Sequence, residues 1–588
     1  MKRTKITTRV IALILSVLTC LSITACAGPS GGPSSGKGDK NTTLIYIEHF
    51  GGGVGRVWLD DAIVRFKDLV KEKSYEEGKK GVSFDISSST YTDTATMQSS
   101  GRNLYFDKVN NISNYIESGM IYPIDDIVKS VIEQKEGQDV TLESKLNDEY
   151  RGGMKGSDGK YYVLPHYEFY NGASYDMDLF ENEGLYFADS NNGTEYTCEL
   201  TGKTVYFINE DYRTKSVGND GKSGTADDGM PTTLEEMVAL CDYMKNEKEG
   251  LSAFVVSGNH VDYTHYFLLG LWGALSGYEE IRSTYTFDSN GKEIQWVSGY
   301  SDENLFAGVD TIKKPIVTKE TIDSADEGWK TTKTLGKYYA MAFLQLALEK
   351  GWIDDRWESG TFMHSDAMNA FVMNGVGKLP KVASIMEGSY WYNEAKGYGN
   401  FQSYYDRYKR EKNIGWFNFP TSFDKAVTSE SNAREEALVA STTFAFINGN
   451  LLGKEEKKGV VDACKDFLKF LFTDKELVAF TETTGVRIAK TEYEVDLENS
   501  GLSTYQKSVL QLAQNTRVVL QEADNPTFKK SPTTFIHALE SIGFSPEKNG
   551  RTYGTVIQAM QTAKMSAADC LDSVSISESK WISSYLQK

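Results

Sequence analysis

The sequence predicts an α/β protein of two or more lobes, and three observations carry that expectation. Leu44-Ile45-Tyr46-Ile47 reads as a strand, runs into the glycine-rich turn Gly51-Gly52-Gly53-Val54-Gly55, and leads to a helical pattern with Trp58, Ala62, Ile63 and Phe66 on one face. A strand, a tight turn and an amphipathic helix in that order open an α/β unit. Strand patterns then return at Gly81-Val82-Ser83-Phe84-Asp85-Ile86 and at Leu104-Tyr105-Phe106. The chain is 588 residues long, and single cores stop growing at roughly 250–300 residues, so the mass must be divided.

Two segments precede the first strand. Lys2, Arg3, Lys5 and Arg9 form a basic head, followed by an apolar run from Val10 to Ile23 and small residues at Thr24 and Ala25. That is the order of a secretory leader, here residues 1–25. The apolar run falls short of the ~20 residues a bilayer span requires. Ile23-Thr24-Ala25-Cys26 resembles the lipobox of bacterial lipoproteins. The resemblance implies that Cys26 is lipidated, becomes the first residue, and anchors the protein to the outer face of the cell membrane. The alternative is an ordinary secretory leader with an incidental cysteine. Residues 26–42 are rich in Gly, Ser and Pro, which cannot bury a core and behave as a flexible tether.

Composition narrows the function. A formal net charge of −19 disfavours nucleic acid, which calls for a basic face, and disfavours broad adsorption to anionic lipid. The 34 tyrosines and 12% aromatic content, with a mean hydropathy of −0.42, suit a wet binding surface. Beyond Cys26, the body carries Cys198, Cys241, Cys464 and Cys570, too widely spaced for a disulfide scaffold. Cys241 and Cys464 fall on apolar helical faces and read as buried free thiols. No Cys/His cluster points to zinc. The Gly51–Gly55 turn lacks both the GxGxxG spacing and the Lys-Ser/Thr of a phosphate loop, so it reads as a backbone turn beside a ligand cleft.

Further along come a helix at Asn111–Ser118, the segment Met120–Ile124 and the acidic pair Asp125 and Asp126. From here the succession resembles the solute-binding lipoproteins of bacterial ABC importers, in particular the large carbohydrate-binding class. The segments that carry the resemblance are YIESGMIYPIDD, GKYYVLPHYEFYNGASYDMDLFENEGL, PTTLEEMVALCDYMKNE, SDAMNAFVMNGVGKLPKVASIMEGSYWYNEA and ACKDFLKFLFTDKELVAFTETTG. In the third, Thr232 or Thr233 caps a helix, with Glu235 or Glu236 at the capping-box position. The fourth has extra residues around Val376–Pro380. Apolar residues at helical spacing in 503–513, 533–542 and 566–574 predict packing helices that close the chain.

The resemblance implies a periplasmic-binding-protein-like fold: two α/β lobes, a hinge of crossing strands, and a ligand cleft between them. Lobe one is expected at 43–165 with 414–475, and lobe two at 166–413 with 476–588. The implied function is capture of a carbohydrate, an oligosaccharide, for delivery to ABC importer permease subunits. No cofactor is required. Alternatives are a binding protein for peptide or another solute, and a glycan-active surface enzyme. No G-x-S-x-G or HExxH signature supports an enzyme.

Sugars present hydroxyls and apolar C–H faces, so their sites combine carboxylates or amides with flat rings. His166, Glu168 and Tyr170 alternate after Pro165 and share one face of an extended strand, either cleft or solvent. Glu387, Tyr390 and Trp391 follow a strand, and Trp391 is the principal stacking candidate. Trp58, Trp416, Asn259, His260 and Tyr263 are further cleft candidates. The insertion Asn219–Gly229 concentrates Asp220, Asp227 and Asp228 among glycines. Such a loop is either an acidic surface turn or a structural Ca²⁺ site, since calcium takes six to eight oxygen ligands.

Overall fold

The computed structural model describes residues 39–89, 94–108, 112–377, 379–433, 435–489, 491–521, 525 and 543–586. The leader, the Cys26 anchor, most of the tether and the helix expected at 533–542 lie outside the described residues. Among the described residues, no helix is long and apolar enough to cross a membrane.

Two sheets organise the chain. The first begins with β1 (Thr43–Phe50), β2 (Val82–Ser89), β3 (Leu104–Asp107) and β4 (Leu164–Tyr170). The chain then changes sheet. β5 (Ala173–Asp176), β6 (Leu251–Val255), β7 (Lys381–Met386) and β8 (Ile414–Trp416) form the second. It returns for β9 (Ala437–Ile447) and β10 (Arg517–Leu520). The first sheet runs β10–β9–β3–β1–β2, with β4 also on β9, and the second runs β6–β7–β5–β8.

The expected opening unit is present. β1 pairs in parallel with β2 from Thr43 opposite Val82 to Phe50 opposite Ser89. Helix Val57–Leu69 returns over the sheet and buries Trp58, Leu59, Ala62, Ile63 and Phe66, at the i, i+1, i+4, i+5 and i+8 spacing of one helical face. Helix Lys458–Leu471 also packs on this lobe through Val460, Val461, Cys464, Phe467 and Leu468, and the Phe66 and Phe467 rings meet at 5.0 Å. Fully burying a side chain of this size contributes roughly 1.5–3 kcal/mol.

In the second lobe, helix Leu335–Glu349 is buried on most of its circumference, as an apolar sequence with little polar face requires. Its Phe343 packs with Phe254 of β6 and with Phe267 of helix Thr264–Ser276, at 6.0 and 5.8 Å. Helix Leu234–Glu247 starts at Thr233, with Glu236 completing the capping box, one of the two arrangements the sequence permitted. Ser503 and Ser566 cap helices Thr504–Asn515 and Ala567–Val574. Cys198, Cys241, Cys464 and Cys570 are all buried free thiols.

The crossings fall later in the chain than the expected boundaries at 165, 413 and 475. All of 164–170 stays in the first sheet, so the first crossing is at 171–172. Strand β8 pairs with β5, Trp416 opposite Ser174, which keeps 414–416 in the second lobe until β9 begins at Ala437. Helices Asp474–Thr484 and Thr504–Asn515 then carry the chain to β10, which pairs in parallel with β9. Strand β10 thus belongs to the first sheet, although helix Thr504–Asn515 on the way packs its Tyr505 against Trp391 and Ser174 of the second lobe.

Candidate ligand cleft between the lobes

The carboxyl ends of β1, β3, β6 and β7 release the segments that meet between the lobes. From the first lobe come the Gly51–Gly55 turn, Lys108, and Tyr167 and Phe169 of β4. From the second come Asn259–Tyr266 after β6 and Glu387–Glu394 after β7. The Gly53 N–H donates to Oε1 of Glu394 at 2.8 Å, joining the two lobes directly. Gly53 has φ +66°, and an added Cβ would run into the Tyr167 hydroxyl. Only glycine meets both demands here.

Aromatic rings line this surface. His260 lies nearly parallel to Tyr263 at 5.1 Å, Tyr263 and Tyr266 are 5.4 Å apart, and Tyr266 and Tyr390 are 5.9 Å apart. Phe169 closes the set from the other lobe, perpendicular to Tyr390 at 5.2 Å and 6.2 Å from Tyr266. The Lys108 ammonium sits 5.7 Å from the Phe169 ring centre. On the far side of His260, His364 Nε2 pairs with the Tyr398 hydroxyl at 2.8 Å.

Two carboxyls stand among these rings. Glu387 is 1% exposed, and its Oε1 has no hydrogen-bond partner among the described residues. Burial, then the neighbouring Glu394, hold its pKa well above the usual carboxylate range. Burial also raises Glu394 to about 7, against the opposing pull of the Gly53 N–H, Lys108 and His260. The His260 pKa is raised by its bond to Asp262. Asn259 shapes the turn: its Oδ1 accepts from the Ser257 hydroxyl at 2.6 Å and from the His364 N–H at 3.0 Å. The expected residues Glu387, Tyr390, Asn259, His260 and Tyr263 thus come together at one surface.

The other expected residues do not. Trp391 is 0% exposed, and its indole N–H donates to Ser174 at 2.9 Å. Phe371, Phe401 and Tyr505 surround it at 5.4, 6.0 and 5.8 Å. It is the first residue of helix Trp391–Gly397, so its side chain turns into the core while Tyr390, just before the helix, stays with the interlobe rings. On β4 the parity is reversed. Tyr167 and Phe169 face the other lobe, whereas His166 packs on Trp58 at 4.8 Å, and the Tyr170 hydroxyl donates to Glu168 inside the first lobe. Trp58 belongs to that same interior, with Phe106 and Phe480 at 5.2 and 5.1 Å. A small apolar cavity of about 20 Å³ beside Trp58 and His166 shares no lining residue with the interlobe rings. Trp416 is buried at the crossing, against Gly172.

The acidic insertion folds through its own donors. Asp227 accepts from the Asp220 N–H at 3.0 Å and the Thr225 hydroxyl at 2.7 Å. Asp220 accepts from the Lys222 N–H at 2.7 Å, and Asp228 from the Gly224 N–H at 2.6 Å. The Thr225 hydroxyl lies within hydrogen-bond reach of all three carboxylates, 3.3, 2.7 and 3.3 Å from Asp220, Asp227 and Asp228. Among the described residues no group of three or more His, Cys, Asp or Glu side chains stands out as a metal cage.

Sequence alone relates the chain to little: no known family matches it, and no curated protein does. The fold is informative. It is similar to that of a solved chitin oligosaccharide binding protein, at 14% identity and a TM-score of 0.51, over 93% of this chain and 100% of that one. The SBP RafE in complex with raffinose matches at 12% identity and a TM-score of 0.48, over 91% and 98% of the two chains. The first of these likenesses, with the sheet topology, establishes a two-lobed α/β fold.

Two outcomes follow from this geometry. Trp391→Ala should cost about 3–5 kcal/mol in denaturant melts, as deletion of a core aromatic does; a loss below about 1 kcal/mol would return Trp391 to the surface. Glu394 titrates at about 7 in the folded chain, against an ordinary value of 4.5. The native state therefore binds more protons between those values. The stability this group contributes is fully present below pH 4.5 and is lost as pH rises through 7. Wild type should thus lose stability relative to Glu394→Gln as pH is raised from 5 to 8. An unchanging gap in denaturation midpoints would contradict the shift.

Proposed function

We propose that this chain captures an oligosaccharide between its lobes and passes it to an ABC importer, held at the outer face of a bacterial membrane through Cys26. The observation that carries this reading is the joining of Phe169, Tyr263, Tyr266 and Tyr390 with the carboxyls of Glu387 and Glu394 where the lobes meet. Pyranose rings offer apolar C–H faces to aromatic rings and hydroxyl donors to carboxyl oxygens. In open α/β sheets, ligands sit beyond the carboxyl ends of the strands, which is where this cluster lies. The similar fold of a chitin oligosaccharide binding protein supports the same class of ligand.

Binding suits the carboxyls better than hydrolysis. Glu394 is committed to a backbone N–H of the opposite lobe. That bond links it to lobe closure, the hinge motion that would present a changed surface to a permease. No cofactor enters this reading.

A calorimetric panel of linear oligosaccharides and short peptides, run on the full-length chain, tests it. A saccharide should bind. Tyr390→Ala should then weaken that binding by about 2 kcal/mol, roughly thirtyfold, as loss of a buried aromatic anchor does. Binding of peptides with none of any saccharide would overturn the proposal.

A further inference from the structure

We propose that the cleft is built for a saccharide carrying a protonated amine, with Glu387 as its counter-ion and the tyrosine rings as its walls. This rests on the oligosaccharide reading above and names the chemistry of one sugar position within it.

The argument starts from how the cations are distributed. Glu394 has its partners: the Gly53 N–H at 2.8 Å, and the positive charges of Lys108 and His260 acting on it. His260 is in turn engaged with Asp262. Glu387 has no such company. The ionisable groups acting on it or feeling it are Glu394 on helix Trp391–Gly397, Tyr263 before helix Thr264–Ser276, Tyr390 in its own turn, and Tyr505 on helix Thr504–Asn515. None of these is a cation. Oε1 of Glu387 is buried and, among the described residues, accepts no hydrogen bond.

A neutral hydroxyl would give that oxygen a donor but no counter-charge against which the carboxyl could ionise. An ammonium group supplies the donor and the charge together. The rings suit it as well, since a cation is attracted to an aromatic face within about 6 Å of the ring centre. Tyr263, Tyr266 and Tyr390, linked by centroid separations of 5.4 and 5.9 Å, give such a group several faces at one surface. An N-acetylated sugar has neither the charge nor the spare protons.

The proton balance provides a signature. With the site empty, burial and Glu394 disfavour a charge on Glu387. When the ammonium docks, the carboxyl ionises to pair with it, and its proton leaves for solvent; no covalent bond forms or breaks in the sugar. Binding of the amino sugar therefore releases up to one proton, whereas binding of a neutral sugar releases none.

The test is calorimetry on the full-length chain with a glucosamine trimer and its N-acetylated counterpart at pH 6, in two buffers of different ionisation enthalpy. The glucosamine trimer should bind at least about tenfold more tightly. Its apparent enthalpy should depend on the buffer as proton release requires, and its advantage should fade above the pKa of the sugar amine. Glu387→Gln, verified as folded by its melting curve, should bring the two trimers to similar affinity. If the N-acetylated or a neutral trimer binds wild type as tightly, with no proton released, the ammonium site is wrong while the oligosaccharide reading stands. If no saccharide binds in the calorimeter, that reading falls and takes this inference with it.

Discussion

The molecule depends on how tightly the backbone can pack where it changes sheets. Between β4 and β5 it has only Asn171 and Gly172 in which to cross. A Cβ on Gly172 would lie 2.5 Å from the Trp416 ring, and one on Gly270 would lie 2.5 Å from the Asn171 carbonyl oxygen. Hydrogen bonds fasten the crossing: the Ser389 N–H donates to the Tyr170 carbonyl at 3.0 Å, the Tyr170 N–H to the Ser389 hydroxyl at 3.0 Å, and the Asn171 amide to the Val439 carbonyl at 2.8 Å. Steric room at two glycines thus sets where the two sheets join. Any side chain there would push them apart.

That junction brings the carboxyl ends of strands from both sheets to one surface, and the chemistry of the cleft follows. The turn after β7 lies next to the crossing, so Ser389 holds β4 while its neighbours Glu387 and Tyr390 stand among the interlobe rings. Glu394, on the helix that follows, reaches across to Gly53. Two carboxyls so enclosed keep their protons more readily than free ones. Fold and electrostatics are therefore one problem here: the same approach of the sheets that encloses these carboxyls also raises the cost of an uncompensated charge.

Much of the fold was legible in the sequence because it rests on local periodicity. The strand, glycine turn and helix at the start, the Thr233 cap and the Ser503 and Ser566 caps all have residue signals within one or two turns. The site was legible only in part. Tyr390 and Glu387 follow a strand end, and Tyr263 and Tyr266 have the i, i+3 spacing of one helical face. β4 defeated the reading of faces because all seven of its residues are buried, so no polar–apolar alternation distinguishes cleft from interior. Trp391 and Tyr390 are adjacent, and which of them enters the core depends on where the helix begins. Glu394 had no signal at all: its partner is a backbone N–H more than three hundred positions away, visible only once the lobes are folded together.

The central claim is that a sugar sits between the lobes, against Tyr263, Tyr266, Tyr390 and Phe169, with Glu387 within hydrogen-bond reach. A crystal structure of the chain with a bound oligosaccharide tests it most directly. The account predicts electron density for a pyranose ring against those aromatic faces, with contacts from both lobes. A saccharide seated elsewhere, with the interlobe rings untouched, would contradict it.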